Sequence, residues 1–482
     1  MKRHSVFVAA LLVPNFWCGP VAFSQTEVPH PRAPEIKALA DRAGALPVEF
    51  RADVLLRLID AGKIADSKWQ REILEDLFTA AAQAEYPVAM FDVGTQTDTR
   101  SWALASGFKL GLDTLSIRCR VVSTMLAVDP RRARELFVQT APAQIADPKC
   151  EDELAPNVSL WFETLRDVAD RSFSDAERGQ GFAIQFFEPY LRAMESSLQL
   201  PSAARAIRML KASGEQRQKL VNVFGVKMAE LADGDRAFTF AIRRLDLPGE
   251  IVQLGEESRK QGVSVDNLLA AYRSFLVTHV SAARCADSAL KEDAVRKFNQ
   301  RLRWAGYLAS ADLDAIPETE GRTSKAGGKA NIVPYWQTAQ AKRLLSAIKH
   351  LRFGDGSRAL SEEQKRTVEW QNEVRQFLAD LANWSPQDER SAADYFHERA
   401  ILYTGLMDLI PDGPLRDGVV QSCVAFMSQN PIEMESPIQF LPHLNAIFQM
   451  ANRPEATLFN SKDPVISLYL AVTRVSGPLA PR

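Results

Sequence analysis

Long apolar runs are missing from this sequence beyond its first two dozen residues, so no later segment reads as a membrane-spanning helix. Neither sign of charge dominates: 58 basic against 60 acidic residues give a formal charge of −2. That balance provides no electrostatic footprint for nucleic acid. Histidine is scarce, with 6 in the chain, and H-E-x-x-H does not occur. The 5 cysteines include no C-x-x-C, which removes a thioredoxin-like or zinc-ribbon site. G-x-S-x-G, a P-loop and a dinucleotide fingerprint are absent as well. Period-two strand patterns are nearly missing, so a β-rich fold is excluded at the outset.

The clearest stretch present is Pro47 to Ala82, two amphipathic helices joined by a short turn. Val48, Ala52, Leu55, Leu58 and Ile59 recur at three- and four-residue spacing and form one apolar face. Glu49, Arg51, Asp53, Arg57 and Asp60 fill the opposite face, which is expected to meet water. Gly62 suits a left-handed C′ position, with Ile64 placed for the accompanying apolar contact. Ser67 and Gln70 have capping-box spacing, which makes Ser67 the expected N-cap. Trp69, Ile73, Leu77 and Ala81 then mark the second helix, flanked by Leu74 and Phe78. The short turn predicts antiparallel packing.

Similar patterns recur. A helix is predicted at about Glu35–Gly44, another through Leu112, Leu115, Cys119, Val122 and Leu126, and a third restarting at Asp129-Pro130. Further helices are predicted around Leu160–Val168, Ser174–Met194, Gln216–Leu231, Asp266–Ala283 and Ser288–Ala309. Residues 311–333 lack periodicity and read as a linker or mobile loop. Helices at Trp336–Arg352, Ser361–Ala382, Ser385–Leu409, Leu415–Met427, Pro437–Met450 and Asp463–Val475 follow. The expectation is an all-α fold of stacked antiparallel helix pairs, an irregular α-solenoid-like array. It divides into a helical array over 25–310 and a C-terminal helical region over 334–482.

Residues 1–24 read as a signal peptide. Lys2 and Arg3 form a basic start, Val6 to Val13 an apolar core too short to span a bilayer, and Ala22-Phe23-Ser24 a cleavage site before Gln25. The expected location is therefore periplasmic or extracellular. Export permits disulfides, and Cys119, Cys150, Cys285 and Cys423 remain after cleavage. Four thiols allow three connectivities. Cys119 and Cys423 lie on apolar helix faces and read as core thiols. Cys150 and Cys285 lie at helix ends or turns and form the preferred pair.

Several short matches carry chemistry on paper. Ser346–Lys349 and Ser288–Lys291 match S-x-x-K and resemble the nucleophile motif of penicillin-recognising enzymes. The order of the accompanying motifs is wrong, however, and that fold needs a sheet. Glu195-Ser196 and the stretch Gly405–Pro411 resemble two pieces of a lytic transglycosylase, though far apart, and Asp408 replaces a glutamine. Asp394, His397 and Glu398 are adjacent on a helix and could touch a metal, although a solvated role suits them better. His279 reads as a core histidine. The basic run from Lys342 to Arg352, with Leu345, Ile348 and Leu351 as its apolar stripe, reads as the solvated face of a packed helix, or as a face for anionic lipid. Asp98, Glu163 and Glu188 are candidates for a carboxylate pair in an enzyme cleft.

With its alternating helix pairs and the restart at "LAVDPRRARELF", the chain resembles the units of HEAT- and TPR-type α-solenoids. As a whole it is similar to long secreted helical bacterial proteins. That resemblance implies an extended binding surface and supplies no site residues. The expected function is an exported scaffold for protein partners in the cell envelope, with no metal and no cofactor. The alternatives are an all-α envelope- or carbohydrate-active enzyme using paired carboxylates, and a small-ligand or lipid carrier.

Overall fold

The computed structural model describes residues 33–84, 108, 110–140, 156–231, 238, 241–242, 245–282, 296, 300, 339–356, 358–384, 392–429 and 464–476. These residues form an all-α protein of packed helices, with no strand among them. The signal segment, Asp98, Cys150, Cys285, Ser288, Lys291, the 311–333 linker and the Pro437–Met450 helix all lie outside them.

The first elements are α1 (Pro34–Ala43), α2 (Val48–Asp60) and α3 (Ser67–Ala80). The turn after α2 is a Schellman motif: Gly62 N–H donates to Ile59 O at 2.8 Å and Lys63 N–H to Leu58 O at 3.0 Å. Gly62 has a φ of 67°, and Ile64 is fully buried as the pattern requires. The cap of α3 differs from the sequence expectation. Asp66, one residue earlier than Ser67, is the N-cap and accepts from Trp69 N–H at 2.6 Å. Gln70 reaches back to Ile64 O instead of closing a capping box.

Next come α4 (Thr114–Val128), α5 (Pro130–Gln139), α6 (Val158–Arg171), α7 (Asp175–Gly179) and α8 (Phe182–Arg192). Asp129 caps α5 through Arg132 N–H at 3.0 Å, with Pro130 in the first turn as predicted. The predicted Ser174–Met194 helix is split at Gly181, whose φ of 82° no continuous helix accommodates. The array continues with α9 (Leu200–Met209), α10 (Gly214–Ala229), α11 (Leu247–Lys260) and α12 (Asp266–Ala282).

The packing of this region is ordered. Helices α2, α4, α6, α9 and α11 each lie against the next in that sequence, while α8, α10 and α12 do the same beside them. Hydrogen bonds between neighbouring units keep a near-constant offset. Ser123 meets Thr164, 41 residues on, Ser159 meets Ser202, 43 on, and Arg205 meets Glu250, 45 on. Arg217 meets Gln261, 44 on, and Gln218 meets Ser264, 46 on.

The remaining helices are α13 (Ala339–Phe353), α14 (Val368–Ala382), α15 (Ala392–Leu409), α16 (Pro414–Gln429) and α17 (Pro464–Ser476). Helix α13 packs on α14 and α15, and α15 on α16. Trp370 ties α14 to α13 by donating from Nε1 to Leu351 O at 3.0 Å. The Arg399 guanidinium lies over Phe426 at 4.4 Å and beside Tyr395 and Tyr403, a cation–π box linking α15 to α16. Helix α17 instead returns to the start of the chain and packs on α1 and α2.

Candidate functional site

The polar face of α2 is where the structure departs furthest from the sequence reading. Glu49 and Asp53, expected to meet water, are buried, and Asp53 is only 1% exposed. Helices α4 and α17 pack on α2, and both reach Asp53. Asp53 Oδ2 accepts from Arg57 Nε at 2.7 Å and from the Tyr469 hydroxyl at 3.0 Å. Its Oδ1 accepts from Arg120 Nη2 at 2.7 Å. One carboxylate thus joins α2, α4 and α17, with Tyr469 reaching it across 416 residues of sequence.

Each donor is held in place by its own element. Arg57 stands one helical turn after Asp53 on α2. Arg120 also donates from Nη1 to Leu110 O at 2.7 Å, closing the turn before α4. Gly111 is required there: its φ is 63°, and a Cβ would lie 3.1 Å from Arg120 Cδ. Burial alone would raise the Asp53 carboxyl. The two guanidiniums outweigh it and hold the group down at about 2. Burial pushes the Tyr469 phenol well above its usual range, and the Asp53 charge adds to that shift. At neutral pH neither group changes its proton. This centre anchors helices, and it is not a proton-transfer pair.

A second buried arginine performs a related task. Arg217 on α10 donates to Ile207 O at 2.7 Å, to Arg208 O at 2.9 Å and to Leu210 O at 2.9 Å, satisfying carbonyls at the end of α9. Its Nε donates to Gln261 Oε1 beyond the end of α11. On the surface, Phe182, Phe186 and Tyr190 recur at four-residue spacing along α8 and run from exposed to half-buried. Phe186 and Tyr190 meet Phe137, Trp161 and Phe173 beneath, and Arg134 lies over Phe173 at 4.2 Å. Val138 on α5 is 61% exposed. A separate cleft of about 400 Å³ opens between the start of α14 and the α15–α16 turn, lined among others by Lys365, Arg366, Trp370, Arg375 and Asp412.

The residues singled out from sequence take the following places where the structure describes them. Glu188 on α8 accepts from Arg192 and Lys219, and these hydrogen bonds lower its carboxyl below the usual range. A carboxyl so held is a poor proton donor at neutral pH. Glu163 is half-buried on α6. Ser346 and Lys349 are both exposed on α13, as are Lys342, Arg343 and His350, which makes that run a solvated face. The buried stripe of α13 is Ala341, Leu344 and Leu351, while Leu345 is 39% exposed.

Ser196 caps a single turn with Gln199, and Glu195 N–H donates to the same Gln199 side chain. The Gly405–Pro411 stretch is the end of α15, closed where Pro414 opens α16. The side chains of Asp394, His397 and Glu398 lie outside the described residues, and no group able to hold a metal occurs among those described. His279 is a core histidine, with Nδ1 3.0 Å from Phe275 O and its ring stacked on Phe238. Cys119 and Cys423 are buried thiols. Burial raises both, Cys423 to about 12, so neither is a reactive nucleophile.

Compared with family models, curated proteins and solved structures, the chain matches none. Among the described residues, no helix is long and apolar enough to cross a membrane.

Proposed function

We propose that this chain is an exported scaffold that binds protein partners in the cell envelope through its stacked helices. The observation that carries the reading is the offset of 38 to 46 residues kept by the bonds between successive units from Ser123 to Ser264. That spacing resembles the period of HEAT-type units. Stacks of this kind present long continuous faces, and their usual work is recognition of other chains. The Phe182–Phe186–Tyr190 ridge, with Arg134 over the Phe173 ring that meets Phe186, has the composition in which binding energy concentrates, aromatic anchors beside arginine.

The basic start, short apolar core and Ala22-Phe23-Ser24 site support export with cleavage before Gln25. The test is a photo-crosslinking amino acid placed at Phe182 in the living host, with mass analysis of the products and of the mature N-terminus. The reading predicts discrete adducts with envelope proteins, lost when the probe is moved to Lys260 on α11. Absence of adducts from probes along α5, α8, α10 and α12 would overturn it.

A further inference from the structure

We propose that the cleft between the start of α14 and the α15–α16 turn binds a small organic dianion, a phosphate monoester or dicarboxylate carrying a compact apolar body. The inference goes beyond the scaffold reading and does not rest on it. At about 400 Å³ the cleft has the size of a small-molecule site. Its charge selects the ligand. Lys365, Arg366 and Arg375 line it, against a single carboxylate among the described residues, Asp412. Two of these four charges are spent within the protein. Lys365 Nζ pairs with Glu362 Oε1 at 2.8 Å, and Asp412 accepts from Arg416 one helical turn on.

Arg366 and Arg375 are both exposed, and neither has a carboxylate partner among the described residues. Arg375 donates to neutral amides, from Nη1 to Asn372 Oδ1 at 2.6 Å and from Nη2 to Gln371 Oε1 at 3.5 Å. Gln371 also donates to Arg366 O at 3.4 Å, so one amide links the two arginine-bearing positions. Two guanidiniums thus remain uncompensated at one cleft. Their forks suit oxyanions, and a phosphate monoester brings roughly −1.5 to −2 charges at pH 7 with three acceptor oxygens. The rest of the lining suits the organic part. Trp370 is buried, and its one polar atom is used in donating to Leu351 O at 3.0 Å, so the indole offers the ligand carbon alone. Ile410, Pro411 and Leu415 add apolar surface from the α15–α16 turn. That turn is stiff: Pro411 and Pro414 each fix a φ, and Gly413 between them takes 149°, a conformation other residues rarely adopt. A wall held this way costs little ordering on binding.

The experiment is isothermal titration calorimetry of phenyl phosphate and benzylmalonate into the full-length chain at pH 7. At least one binds with a dissociation constant below about 1 mM, and the tighter of the two assigns the anionic group. The parent anion without the ring, inorganic phosphate or malonate, binds at least about tenfold more weakly. Arg366→Gln and Arg375→Gln each weaken the organic ligand at least about tenfold. Both side chains are exposed, so circular dichroism and melting stay at their wild-type values. Lys342→Gln removes an exposed cation of α13 outside the cleft and leaves the affinity unchanged. Absence of binding by both organic dianions overturns the site. So does an equal affinity for the parent anion, or a loss in Lys342→Gln equal to that in the arginine variants, which would mark general charge attraction. A lipid headgroup is the other source of the same chemistry. Cosedimentation with phosphatidylcholine vesicles containing phosphatidic acid, lost in Arg366→Gln and without binding of the free dianions, would also overturn the small-molecule site. None of these outcomes touches the crosslinking test of the scaffold reading.

Discussion

Asp53 shows how far one residue can depart from its helix pattern. By periodicity it belongs to the solvated face of α2, and nothing in residues 48–60 says that this face is covered. The covering residues are Arg120 and Tyr469, and neither is a neighbour in sequence. Its energetics follow from its protons. The folded carboxyl is held at about 2, below the ordinary 3.8, so its contribution is fully present above pH 4 and is lost as pH falls from about 4 toward about 2. That shift corresponds to about 2 kcal/mol. Asp53→Asn therefore flattens the stability–pH curve across this window. At neutral pH it destabilises the fold by about 3 to 5 kcal/mol, because Arg57 and Arg120 lose their buried counter-ion. Urea unfolding at pH 7 and at pH 3 measures both effects, and an unchanged acid limb would refute the assignment.

Among elements, legibility followed the punctuation. The α2–α3 hairpin was readable because Gly62 and Ile64 stand where a Schellman turn needs them. Its cap was misplaced by one residue because Asp66 and Ser67 are both competent N-caps, and only the backbone chooses between them. Asp66→Ala is expected to cost about 1 kcal/mol in thermal or urea unfolding, and Ser67→Ala a few tenths. Helices α9 and α11 escaped the sequence reading entirely. Each carries a proline as its second residue, Pro201 or Pro248, and in α11 Gly249 follows, a dipeptide that reads as a turn. Proline in the first turn sacrifices no helical hydrogen bond, so both helices form. The end of α9 then depends on Arg217. Arg217→Met is expected to destabilise by about 2 to 4 kcal/mol, because three carbonyls lose their donor. Arg217→Lys should recover only part of this, since an ammonium cannot span the same fork.

On the scale of the whole molecule, the fold class was legible because nearly every long segment carries the helical period. The order of packing was not. No local pattern announces that α17 lies on α1 and α2, because its Leu468, Val472 and Val475 stripe would suit any apolar face. A candidate site was still less legible, since recognition by stacked helices uses ordinary aromatic and arginine side chains with no required spacing. The aromatic ridge on α8 could have been found from Phe182, Phe186 and Tyr190 at four-residue spacing, but only the structure separates a surface ridge from a core stripe.

The central claim is that the two ends of the described chain are joined by α17 on the Asp53 centre. Hydrogen exchange read by mass spectrometry on the full-length protein tests it most directly. The account predicts that amides of 464–476 are protected, open more readily than those of α4 and α6, and lose protection together with α1 in Tyr469→Phe, while α10 and α12 do not change. Exchange of 464–476 at the rate of a free peptide in the wild type would contradict it.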